Sequence, residues 1–168
     1  MIKPGDSLPD ITLYAYSNGE GACAIGPNAF SIRERCQQRK LVIFALPGAF
    51  TPTCSERHVP GYVAAADAFS AAGIDEILCV SVNDAFVMNA WGSSLQVGDA
   101  VKMIGDGNGE FAKALGLSQD LSARGMGHRS QRYAMLVEDG VVRHLAVEAP
   151  GKFEVSDAQS ILAFIQQR

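Results

Sequence analysis

Long runs of lysine or arginine are missing from this chain, whose formal charge is −4 over 168 residues. It therefore lacks the electrostatic footprint that nucleic acid or an anionic membrane surface would require. Long hydrophobic runs are missing too. The uninterrupted apolar run Leu41 to Leu46 is far shorter than the roughly 20 residues a membrane span needs. The opening Met1-Ile-Lys-Pro-Gly-Asp-Ser-Leu-Pro places prolines and an acid where a secretory signal needs an apolar stretch. A cytoplasmic location is the resulting expectation. None of the cysteines, Cys23, Cys36, Cys54 and Cys79, forms a Cys-x-x-Cys pair, the usual unit of structural zinc sites. A Gly-x-x-x-x-Gly-Lys-Ser/Thr phosphate loop is also absent. No fixed-period repeat and no Pro/Gly/Ser-rich linker divides the chain, so residues 1–168 read as a single domain.

What is present alternates strand and helix. Leu41-Val-Ile-Phe-Ala-Leu46 reads as a strand buried on both faces. A Pro-Gly loop and a helical stretch from about Pro52 to Ala72, closed by Gly73, lead to a second strand, Glu76 to Val82. That is a βαβ unit, so the two strands should be parallel. Further along, Asp84 to Ser94 reads as a helix, Val101 to Gly105 as a strand and Gly109 to Leu115 as a short helix. Arg132 to Val137 turns at Asp139-Gly140 into Val141 to Val147, a hairpin signal. Ser156-Asp-Ala-Gln159 fits a capping box for a last helix with Ile161, Leu162 and Ile165 as its stripe. The fold class is α/β: a mixed central sheet with helices on both faces, ending in a β-hairpin plus helix.

The chemistry concentrates in Leu46-Pro-Gly-Ala-Phe-Thr-Pro-Thr-Cys-Ser-Glu-Arg-His58, at the carboxyl end of a buried strand, where open α/β sheets place ligands. Thr53-Cys-Ser-Glu56 fits a capping box, which puts Cys54 at the first helical position. With Thr51 as cap, Pro52 takes that position instead. In both cases the sulfur lies in the first turn, where unpaired N–H groups and the helix dipole favour a thiolate. Ionisation alone is too small an effect for a fast enzyme. A thiol of pKa about 8.5 is roughly 3% ionised at pH 7, so full ionisation gives only about thirtyfold. The remainder must come from donors aimed at the reacting oxygens. Thr51 can supply a hydroxyl, and an arginine a charged fork of donors.

Pro47, Thr51 and Cys54 stand as Pro-x-x-x-Thr-x-x-Cys, which resembles the active-site signature of peroxiredoxins. The string Pro-Gly-Ala-Phe-Thr-Pro-Thr-Cys, then His58-Val-Pro-Gly-Tyr62, Ser81-Val-Asn-Asp-Ala-Phe86 and Arg129-Ser-Gln-Arg-Tyr133, is similar to the type II (fifth mammalian class) branch. The resemblance implies a thioredoxin-like fold, no cofactor, a hydroperoxide substrate and a homodimer. By resemblance Cys54 is the peroxidatic cysteine, Thr51 orients the peroxide, Pro47 shields the intermediate and Arg132 is the active-site arginine. Arg129 is the alternative for that last role.

Other candidates are weaker. His58, four residues after Cys54, raises a Cys–His hydrolase, but Pro60 distorts that turn and no Asn or Asp is evident to orient the imidazole. A protein that keeps the fold and uses Cys54 only as a redox sensor is the second function class. Asp106-Gly-Asn-Gly-Glu110 hints at a calcium loop, yet Phe111 stands where that loop needs glycine. Met88 and Trp91 read as core, and Met126 as a candidate for the pocket rim. Mammalian members resemble a design with a late resolving cysteine, in the region of Val155 here, whereas bacterial and plant members carry one near Cys79. Cys79 is mid-strand, ~10 Å below the strand end at ~3.3 Å per residue, too deep for a ready disulfide with Cys54. The expectation is rescue by glutathione through a glutaredoxin, with thioredoxin as the other donor class.

Overall fold

Two apolar faces on one set of strands organise the molecule, and the alternation along β3 (Lys40–Ala45) shows how. Val42, Phe44 and Leu46 join a core cluster on one side of the sheet, while Leu41, Ile43 and Ala45 join a second cluster on the other. Successive strand side chains point to opposite faces, so a run apolar at every position must be covered twice. The structure, a computed structural model, describes residues 1–19 and 25–168. Cys23 lies outside the described residues.

The elements in chain order are β1 (Thr12–Ser17), β2 (Gly26–Ser31), α1 (Ile32–Arg35), β3, a π-helical turn (Cys54–His58) and α2 (Val59–Ala71). Then come β4 (Glu76–Ser81), α3 (Ala85–Ser94), β5 (Lys102–Gly105), α4 (Glu110–Ala114), β6 (Ser118–Asp120), a 3₁₀ turn (Ser122–Arg124), β7 (His128–Ser130), β8 (Tyr133–Glu138), β9 (Val141–Val147) and α5 (Ala158–Gln166). Seven strands form one sheet in the order β2-β1-β5-β4-β3-β8-β9. The β3–β4 and β4–β5 pairs are parallel and the rest antiparallel, with β6 and β7 a separate pair.

The parallel β3-α2-β4 unit and the β8–β9 hairpin stand where the sequence places them. Asp139 and Gly140 both adopt positive φ, 49° and 74°, as a two-residue hairpin turn requires. The amino-terminal strands β1 and β2 go unannounced, because Gly26-Pro-Asn breaks the pattern that marks a strand. Proline is tolerated there because β2 is the edge of the sheet. Two expected capping boxes are not formed. Thr53 is already helical at φ −60° and ψ −35°, with no side-chain cap bond. The helix begins at Pro52, and the Ser55 N–H donates to the Thr51 carbonyl. Thr51 thus takes the cap position, as the alternative had it. At the last helix the cap is Asp157, which accepts from the Ser160 N–H, while the Ser156 hydroxyl turns inward to Glu148.

Candidate active site

Cys54 sits in the first turn of the helix that follows β3, and that turn is not a regular α-helix. The Val59 N–H donates to the Cys54 carbonyl five residues back, and Pro60 has no N–H with which to continue the usual ladder. Cys54 and His58 are both fully buried. Arg132, one residue ahead of β8, reaches both: its Nη2 donates to Cys54 Sγ at 3.2 Å and its Nη1 to His58 Nδ1 at 2.8 Å. Phe153 lies beside the pair, its ring centroid 5.7 Å from the guanidinium carbon and 4.9 Å from the imidazole.

Arginine cannot accept a hydrogen bond, so His58 Nδ1 is the acceptor and Nε2 carries the proton, donated to the Ser156 carbonyl at 3.1 Å. Burial, with the Arg132 charge adding to it, lowers the His58 pKa to about 3. The ring is therefore neutral at physiological pH, and neither nitrogen is placed to take a proton from Cys54. The Cys–His hydrolase reading has no geometry to support it.

Thr51 departs from the expected donor role. Its hydroxyl donates to the Gly48 carbonyl at 2.7 Å, so towards the cleft its oxygen offers lone pairs rather than a proton. Pro47, Thr51, Met126 and Arg132 line one cleft of about 530 Å³, rimmed by the exposed cations Arg124 and Lys152. Met126 thus does lie on the pocket wall. Arg129 is not at the sulfur: its Nε donates to the Met126 carbonyl and its Nη1 to the Pro47 carbonyl. It braces the loop that Arg132 serves.

Several residues position this loop without being evident in advance. Asn83 Oδ1 accepts from the Ala49 N–H at 3.0 Å and the Ser81 hydroxyl at 2.7 Å, tying the Pro47–Thr51 loop to the end of β4. Phe50 between them adopts φ 62°, the left-handed region that a bulky side chain avoids. Trp91 Nε1 donates to Ser55 Oγ at 3.0 Å, so this core residue also anchors the first turn.

The family comparison agrees with the fold. The Redoxin family model matches residues 3–162. A chloroplastic protein of Oryza sativa subsp. japonica, peroxiredoxin-2E-2, is 48% identical over 164 residues, spanning 96% of this chain and 71% of that protein. The reduced Prx3 of Vibrio vulnificus, solved in complex with H2O2, is 48% identical with a TM-score of 0.91, covering 98% of this chain and 99% of that one. A Burkholderia cenocepacia protein described as a thioredoxin reductase is 61% identical with a TM-score of 0.95, each chain covered to 97%. The chain belongs to the type II peroxiredoxins. Its activity is that family's, a thiol-dependent peroxidase.

The peroxiredoxin's other described cysteines, Cys36 and Cys79, are both buried. Cys36 is buried, and burial raises its pKa to about 11. Cys79 sits mid-strand in β4 opposite Phe44, fully buried in the same core cluster as Cys54. Burial first, and the nearby Cys54 sulfur second, push its pKa well above the usual thiol range. The Asp106 carboxylate, at the suspected calcium loop, accepts from the Phe111 and Ala112 N–H groups at 3.1 and 3.0 Å. It holds the start of α4, and no cluster of three or more candidate metal ligands occurs among the described residues.

Proposed function

We propose that Cys54 reduces hydrogen peroxide and organic hydroperoxides, and that glutathione, delivered through a glutaredoxin, restores it. The Cys54 thiolate attacks one peroxide oxygen, the O–O bond breaks, and Cys54 becomes a sulfenic acid while the alkoxide or hydroxide leaves to take up a proton. Glutathione then displaces water to give a mixed disulfide, and a second thiol returns the cysteine with release of a disulfide. The observation that carries this reading is the Arg132 fork: one guanidinium arm on the Cys54 sulfur, held by a neutral His58 on the other. Its permanent charge meets the negative charge that develops on the departing oxygen. Thr51, its own proton engaged on Gly48, is the acceptor for the O–H of the incoming peroxide. Pro47, on the cleft wall, shields the sulfenic acid from bulk water.

Two observations favour an external thiol. Cys79 is buried and held as a thiol, which makes it a poor nucleophile. The cleft rim carries Arg124 and Lys152, cations that suit the carboxylates of glutathione. Because Cys54 is itself fully buried, a thiol of that size reaches it only when the π-helical turn opens. We place the protein in the cytoplasm and read its working form as a homodimer, for which the exposed Phe50 and Phe86 offer apolar surface.

The test is Cys54→Ser. A serine hydroxyl stays un-ionised at neutral pH, so peroxide consumption should fall at least about a thousandfold while the fold is retained. Turnover within about tenfold of the parent would remove Cys54 from the role. Comparing glutathione plus glutaredoxin with thioredoxin at equal peroxide identifies the donor, and sedimentation of the reduced protein reads the dimer.

A further inference from the structure

We infer that Glu148 is a positioning residue for Arg132, acting at a distance through the 154–156 segment and His58. The inference rests on the reading of Arg132 as the group that meets the peroxide. Glu148 follows the end of β9, and its backbone N–H donates to the Arg132 carbonyl at 2.9 Å, so the two residues lie side by side at the mouth of the cleft. No ion pair joins them among the described residues. The carboxylate turns away instead, and a single oxygen, Oε1, accepts from the N–H groups of Glu154, Val155 and Ser156 and from the Ser156 hydroxyl, each at 2.8 Å. Burial opposes the charge on Glu148, but these bonds outweigh it and hold the carboxyl below the usual range.

Four donors converging on one oxygen hold Ser156 by its N–H and its hydroxyl, and the carbonyl of the same residue is the acceptor for both His58 Nε2 and the Tyr62 hydroxyl. His58 has aromatic neighbours in Phe44 and Phe153, with ring centroids 4.8 and 4.9 Å away. What remains free to place its Nδ1 is the bond to Ser156. Nδ1 then holds Nη1 of Arg132, and in a planar, rigid guanidinium the direction of Nη1 sets that of Nη2, the arm on the sulfur. The path closes on itself: Arg132 backbone to Glu148, Glu148 to Ser156, Ser156 to His58, His58 to the Arg132 side chain. Every link after the carboxylate is uncharged, so Arg132 is aimed without its charge being neutralised by a paired anion.

A double-mutant cycle separates this role from plain loop stability. The readouts are the second-order rate constant for hydrogen peroxide under single turnover, the thiolate fraction by ultraviolet absorbance across pH, and the melting temperature. Glu148→Gln keeps the shape but offers four donors a neutral oxygen. It should slow peroxide attack by about tenfold at matched thiolate fraction. In an Arg132→Met background the same substitution should change the rate by less than about twofold. An equal loss in both backgrounds, or no loss in a folded Glu148→Gln protein, overturns the inference. If Glu148→Gln does not fold, His58→Gln carried through the same cycle tests the later link, with the same two outcomes decisive. If Arg132→Met alone leaves the rate unchanged, the active-site reading itself falls, a result distinct from the failure of Glu148.

Discussion

His58 commits both ring nitrogens to partners that admit only one protonation state, Nδ1 to a guanidinium and Nε2 to a carbonyl. Its folded pKa of about 3 lies below the ordinary value of 6.5. Between those values the unfolded chain binds a proton that the folded protein refuses. Stability from this residue is therefore complete above about pH 6.5 and is lost as pH falls towards 3, by an amount on the order of 5 kcal/mol. Urea denaturation of the parent against His58→Asn across that range checks it: the parent should lose more stability on acidification than the variant, and parallel profiles would refute the assignment. At this scale the placing of Arg132 beside Cys54, and of Pro47 and Thr51 on one cleft with Arg132, agrees with the sequence reading, because their spacing is carried by one loop and one strand start. The state of His58 was not. The sequence shows an imidazole four positions from a thiol, but the groups that claim its nitrogens come from positions 132 and 156, which only the tertiary fold brings near.

Elements were legible where a single face or turn dictates them. β3 is apolar from Leu41 to its end, and Asp139-Gly140 requires positive φ, so both could be placed from local pattern. The starts at Asp84 and Gly109 stand where they were read, but two others were placed less well, because nearby Ser, Thr and Asp residues compete for the cap and packing chooses among them. Ser156 lost to Asp157 because its hydroxyl is needed at Glu148. Position 106 is the counterpart, a polar loop residue whose carboxylate serves a short helix. Burial raises the Asp106 pKa, and the amide bonds to Phe111 and Ala112 oppose that shift. Asp106→Ala should cost about 1–2 kcal/mol in urea denaturation, the worth of a lost helix cap with its amides left unpaired. Peroxide turnover should remain within about twofold, since α4 contributes nothing to the cleft. A cost below about 0.3 kcal/mol would show that water serves those amides equally well.

Across the whole molecule, the arrangement of the described thiols bears on where the second pair of electrons comes from. Cys36 belongs to the core on one face of the sheet, whereas Cys54 and Cys79 share the core on the other. Cys79 faces that core from the middle of β4, in register with Phe44, while Cys54 lies past the end of β3 within a helical turn. A disulfide between them needs Cα atoms within about 7 Å and a fully buried thiol to ionise, and burial opposes that ionisation. Peroxide added without any thiol should therefore leave Cys54 as a sulfenic acid and then, as peroxide rises, a sulfinic acid. Intact mass should show one added oxygen, then two, with peptide mapping placing both on Cys54. Cys79→Ser should keep most turnover with glutathione and glutaredoxin, while costing roughly 1–3 kcal/mol if the new hydroxyl finds no partner in the core. A loss of two hydrogens instead, with Cys54 linked to Cys79 at the pace of peroxide turnover, would move the second electron pair inside the protein. The π-helical turn would then be the hinge that lets the two sulfurs meet.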